Sequence, residues 1–203
     1  MKPRIVFFDI EARKRVKELR PDDEDAGWDD LRHGKGGASA IAVYDTRDKF
    51  LYLYDDHCAE ACARHLEAAD LVVGFTSERF DVPCLEGLIG RRMRLSAHYD
   101  ILIEIQNYHA KRGQVTQKGD LTLERLARRN LGRGKIDKGS NAATLAKRGQ
   151  WGKLFNYCAD DVHLTRDLFA IICRDGGLHS LGGKFALLPP VPARWREGME
   201  GIL

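Results

Sequence analysis

Arg4-Ile-Val-Phe-Phe-Asp-Ile-Glu11 is the stretch on which the reading of this sequence turns. An apolar run with β-branched and aromatic side chains predicts a buried strand over Arg4–Ile10. Acids then fall at Asp9 and Glu11, where further core residues are due. Side chains alternate across a strand, so both carboxylates project from one face. A solvated strand end would carry the same pair, so the pattern gains meaning only from what it meets elsewhere.

Working outward, the charged stretch from Arg13 to Gly37 reads as a long excursion, of a kind that is usually functional or disordered. Ala38–Tyr44 and Phe50–Tyr54 read as strands joined by a turn over Asp45–Asp48, and Leu71–Phe75 and His98–Leu102 as two more. Helical spacing covers Ala59–Ala69, Val82–Met93, Ile103–Lys111, Leu121–Asn130, Ala142–Lys147 and a long run from Trp151 to Arg174. Strands paired first by turns and later separated by helices predict an α/β fold with a mixed sheet flanked by helices. Residues 1–175 are expected to form one domain, with 176–203 a Gly- and Pro-rich extension packed on it, either as a hairpin or as irregular chain.

The 203 residues, 43% of them hydrophobic, suffice for a sizeable core. No apolar run approaches the roughly 18 residues of a membrane span, and the start lacks the pattern of a secretory signal. A soluble cytoplasmic protein with no membrane partner is the expectation. The five cysteines lack paired spacing, which argues against a disulfide framework. His57, Cys58, Cys62 and His65 suggest a zinc site, but small cysteines on one face of an amphipathic helix explain that segment more simply.

Two further acids stand in awkward places. Asp81 follows a buried strand and a short loop and precedes a helix, where an N-cap role would also suit it. Asp161 is the most informative. At about 100° per residue, Leu154, Leu168 and Ile172 fall within about 20° of it on the helix, and Tyr157 and Thr165 within about 40°. A carboxylate amid an apolar stripe costs several kcal/mol unless a cation or a partner meets it. Several carboxylates converging on one point would hold hard divalent cations, and a pair of such ions stabilises both attacking and leaving oxygens in phosphodiester hydrolysis. A structural ion pair to an arginine is the plain alternative for Asp161, and a core position for Tyr157.

Taken in order, these segments resemble the motifs of the DnaQ-like (DEDD) exonuclease superfamily. Phe7-Phe-Asp-Ile-Glu11 is similar to its first motif, Gly74-Phe-Thr-Ser-Glu-Arg-Phe-Asp-Val-Pro-Cys-Leu85 to its second and Tyr157-Cys-Ala-Asp-Asp161 to its third. A tyrosine four residues before the last acid, with Asn156 rather than histidine before it, resembles the tyrosine branch, which includes the proofreading domains of family-B DNA polymerases. Thr76 departs from the asparagine that many relatives carry.

The resemblance implies an RNase H-like fold with a mixed five-stranded sheet and a 3′→5′ exonuclease that uses two Mg²⁺ or Mn²⁺ ions on single-stranded DNA. Asp9, Glu11, Asp81 and Asp161 would hold the metals, Tyr157 would orient the attacking water, and Ile10 and Phe80 would lie near the terminal nucleotide. Acting on RNA, cutting internally, or binding nucleic acid without catalysis are the alternatives.

Charge distribution adds to this. Residues 1–90 carry 13 basic and 19 acidic side chains, whereas residues 91–153 carry 15 and 5. An acidic portion beside a basic one suits a polyanion held next to a cation site. Arg125, Arg128 and Arg129, with Arg133 and Lys135, are the candidates for tracking a phosphate backbone; solvated helix faces would look alike.

Overall fold

The computed structural model describes residues 2–117, 119–135, 142–188 and 190–202. Strand β1 (Ile5–Ala12) is followed by two helices, α1 (Val16–Leu19) and α2 (Glu24–Arg32), then by strands β2 (Ala38–Asp45) and β3 (Phe50–Tyr54). Helix α3 (Ala59–Glu67), strand β4 (Leu71–Gly74), helix α4 (Asp81–Ile89), strand β5 (His98–Asp100) and helix α5 (Ile101–Ala110) complete the first half. After them come α6 (Leu123–Leu131), α7 (Ala142–Lys147), the long α8 (Trp151–Asp175), a hairpin of β6 (Gly177–His179) and β7 (Phe185–Leu187), and α9 (Ala193–Met199).

The first five strands form one mixed sheet in the order β3-β2-β1-β4-β5. β1 pairs antiparallel with β2 and β2 with β3, while β4 runs parallel to both β1 and β5. The architecture is therefore the α/β fold with a mixed five-stranded sheet and flanking helices that the sequence predicts.

β1 is central, and its alternation splits the core. Ile5 and Phe7 point into the layer that contains Leu154, Cys158, Val162 and Phe169 of α8. Val6, Phe8 and Ile10 point to the opposite layer, with Cys62 and Leu66 of α3 and Cys84 and Leu85 of α4. All of these side chains are nearly or fully buried. Asp9 and Glu11 thus continue the row that faces α8. Leu178, Ala186, Leu188, Val191 and Met199, beyond α8, pack into the same layer.

Three expectations change. Residues 13–37 are a helical hairpin rather than a loop: the Asp23 carboxylate caps α2 by accepting from Ala26 N–H, and buried Asp30 receives Arg20 and Lys35. A strand through Leu102 stops at Asp100, because that carboxylate accepts from the N–H groups of Leu102 and Ile103 and starts α5 there. α4 begins at Asp81 with Phe80 at the cap, so Asp81 does not cap it.

Candidate acidic site at the sheet's carboxyl edge

β1, β4 and β5 run parallel, so their carboxyl ends lie along one edge, where α/β sheets commonly place ligands. Asp9 and Glu11 sit at that end of β1. α8 crosses the same face of β1 and brings Asp161, which is 3% exposed. Carboxylate oxygens of Asp9, Glu11 and Asp161 lie within 4.8 Å of one another. The residues around Asp161 on α8 are also buried, Leu154, Leu168, Thr165 and Tyr157 among them, so the acid does stand within the apolar stripe.

Asp81 arrives from the opposite layer. β4 pairs with β1 only at Ile5, Phe7 and Val6 between them, which leaves the β4 side of β1 open further along. There the Asp81 Oδ1 accepts from the Ile10 N–H at 2.9 Å. Asp81 is buried, and the charges of Asp81 and Asp9 both push the Glu11 carboxyl upward. It thus neighbours the cluster without joining the three-acid group.

Electrostatics here are those of crowded anions. Burial, then the charges of Asp9 and Asp161, raises Glu11 well above the usual carboxylate range. Burial and Asp9 do the same for Asp81. Burial also raises Asp9. Asp161 is pushed up to about 7 by burial and by Asp9, against the opposing effect of Lys135. The Cys158 thiol donates weakly to Asp9, at 3.5 Å from its Oδ2.

Among the described residues, Lys135 is the cation that answers these acids. Lys135 Nζ donates to Asp161 Oδ2 at 2.5 Å and to the Tyr157 hydroxyl at 3.1 Å. Burial opposes its charge, but Asp161, Tyr157 and Asp9 together raise its pKa, so it remains an ammonium. Glu124 anchors the segment by accepting from the Lys135 N–H. Burial and the Asp161 charge raise the Tyr157 phenol, which therefore keeps its proton. In the sequence Lys135 is one of several basic residues in the stretch proposed to track phosphate, and nothing local marks it as the one that turns inward.

Other predicted residues fall elsewhere. Ile10 is 4% exposed, its side chain in the core, and it presents backbone to Asp81. Phe80 is half-buried and meets Trp28 edge to face, ring centroids 6.3 Å apart. Arg125, Arg128 and Arg129 line a cleft with Asp120, Leu181 and Gly182 that none of the four acids borders. Arg125 pairs with Asp120, Arg128 with Glu124, and Arg129 donates to the Ser180 carbonyl. Thr76 takes a left-handed conformation, φ 68°, unusual for a β-branched residue. The Asp100 carboxylate holds that loop by accepting from the N–H groups of Thr76 and Glu78. His65, one of the two histidines of the zinc alternative, is held between the Tyr54 hydroxyl and Asp45.

Hard divalent cations fit the donor set. Carboxylate oxygens are their preferred ligands, and the buried Oδ1 of Asp161 has no hydrogen-bond partner among the described residues. Asp9, Glu11 and Asp161 are the residues that would hold such an ion, with Asp81 beside them.

No family model matches this sequence, and no curated protein does. Among solved structures, the fold is similar to that of the family B DNA polymerase from the hyperthermophilic archaeon Pyrobaculum calidifontis, with a TM-score of 0.55 and 16% identity over 85% of this chain. The chain spans 25% of that polymerase's length, and at this identity the likeness is one of fold.

Proposed function

We propose that this chain is a metal-dependent 3′→5′ exonuclease of the RNase H-like, tyrosine-type DEDD class that hydrolyses single-stranded DNA. The observation that carries the reading is Asp161: a carboxylate in the apolar stripe of α8, within 4.8 Å of Asp9 and Glu11, with one buried oxygen unpartnered among the described residues. Burying that many carboxylates at one point is costly for a fold that needs only stability. The likeness to a polymerase fold supports the reading.

Asp9, Glu11, Asp81 and Asp161 would hold two Mg²⁺ or Mn²⁺ ions. Such ions lower the pKa of water and neutralise charge on a phosphate. The rest falls to the chain. Lys135 donates to the Tyr157 oxygen, so the phenolic hydrogen is free to donate onward. Tyr157 therefore acts as a donor that orients water or a phosphate oxygen rather than as a base. Lys135 also fixes the rotamer of Asp161 and offsets one negative charge. Phe80, the residue before Asp81, would stack on a terminal base, which any base face permits.

The ion pair between Lys135 and Asp161 favours one second reading, a module that binds nucleic acid and does not cut it. Incubating 5′-labelled single-stranded DNA or RNA with Mg²⁺ or Mn²⁺ separates them. A descending ladder that Asp9→Ala and Asp161→Asn abolish is expected. Shifted but uncut substrate favours the binding module, and discrete internal products an endonuclease. Full activity in Asp161→Asn removes α8 from the mechanism.

A further inference from the structure

Resting on the nuclease reading above, we infer that Trp28, carried by α2, is a base-stacking residue that grips an unpaired nucleobase of the substrate strand beside Phe80. The helical hairpin of α1 and α2 follows the end of β1 at Ala12, beginning at Val16, and bridges both helical layers at that edge. On one side it lies against α4, which begins with Asp81. There Gly34 and Gly87 bring two backbones together: a Cβ on Gly87 would stand 2.2 Å from the His33 carbonyl, and one on Gly34 would stand 2.7 Å from the Leu88 nitrogen. On the other side Glu18 pairs with Lys147 of α7 at 2.8 Å, and Arg15 donates to Thr144.

Within the hairpin the packing is equally close. A Cβ on Gly27 would stand 2.7 Å from the Val16 side chain. α2 is thus fixed by backbone contacts and by the ion pairs of Asp30, none of which involves Trp28. Yet this indole is left 38% exposed, its edge contact at 81° to Phe80 and its nitrogen toward Glu24 of its own helix. Held on its edge against Phe80 yet still part-exposed, and carried on a helix fixed by other contacts, the indole is presented rigidly beside the residue preceding Asp81 and is a ready stacking surface. Two perpendicular rings offer faces to bases of any identity, and a paired duplex would have both of its base faces already stacked. The ligand class is accordingly a single strand with unpaired bases.

The test is equilibrium binding of a short oligothymidylate, labelled at its 5′ end, in EDTA so that nothing is cut. Anisotropy is compared for wild type, Trp28→Ala and Trp28→Phe, on the intact oligomer and on one with abasic residues at its 3′ end. Stacking predicts that Trp28→Ala weakens intact oligomer by about 5- to 150-fold, that Trp28→Phe binds nearly as wild type, and that wild type and Trp28→Ala bind the abasic oligomer equally. The same loss on both oligomers would mark a damaged fold and overturn the inference. Equal binding of the intact oligomer by wild type and Trp28→Ala would also overturn it, while the cleavage ladder would leave the nuclease reading standing. No binding by wild type removes both.

Discussion

Supplying Mg²⁺ or Mn²⁺ should raise the melting temperature, and more so as pH rises. Asp161 is held at about 7 against an ordinary 3.8, and Glu11 and Asp81 are also raised by burial and mutual repulsion. A carboxyl whose folded value exceeds its unfolded value contributes stability that is complete below the unfolded value. That contribution is lost as pH rises through the folded value. Without divalent ions the chain should therefore weaken between about pH 4 and 7, the window set by Asp161. Each tenfold change in proton affinity is worth about 1.36 kcal/mol, so Asp161 alone removes about 4 kcal/mol. A domain of this size shifts by about 2–4 °C per kcal/mol, hence by about 10 °C. A cation at a hundred times its dissociation constant returns about 2.7 kcal/mol. Thermal melts in EDTA and in Mn²⁺, at about pH 5.5 and about pH 8, test this. Identical melts with and without Mn²⁺ at the higher pH would refute the reasoning, as would an undiminished shift in Asp9→Asn.

Tyr157→Phe keeps the ring and loses only the hydroxyl, so kcat should fall by roughly 10²-fold with KM little changed; steady-state kinetics on a labelled oligonucleotide check it. Lys135→Met removes the charge that lowers Asp9, Glu11 and Asp161. The acidic limb of its kcat/KM profile should move up by about one pH unit, since a neighbouring opposite charge is worth at least that; an unmoved limb counts against the cluster. Gly87→Ala forces a methyl against the His33 backbone and should destabilise by about 1–3 kcal/mol in urea melts, with amide exchange accelerating first in α2.

Much of this was legible in the sequence because it rested on periodicity. The stripe of Leu154, Asp161, Leu168 and Ile172 places Asp161 inside the protein by helical arithmetic alone, and the structure buries all four. Asp9 and Glu11 share the face that strand alternation requires. What stayed hidden depended on contacts between distant segments. α1 and α2 carry a glycine at their crossing and a surfeit of acids, so local pattern spoke against helices; Arg20 and Lys35 on Asp30, and the Gly34–Gly87 approach, make them possible. The inward turn of Lys135 depends on Glu124, eleven residues earlier, receiving its backbone. Asp81 looked like a helix cap because its true partner, the Ile10 N–H, lies 71 residues away.

Asp100 shows how far the influence of the sheet's edge strand extends. Its two oxygens together receive four backbone N–H groups, two that start α5 and two in the loop leading to Phe80 and Asp81. The side chain is 4% exposed, and these four contacts of its oxygens are all to backbone. A mutagenesis screen scored by loss of function would nonetheless return position 100 alongside the four acids, and would invite adding it to the proposed ligands. Its signature would differ: an Asp100→Asn amide keeps one acceptor oxygen but turns its NH2 toward a backbone N–H that needs an acceptor, so the defect should ease at low temperature and not with added cation.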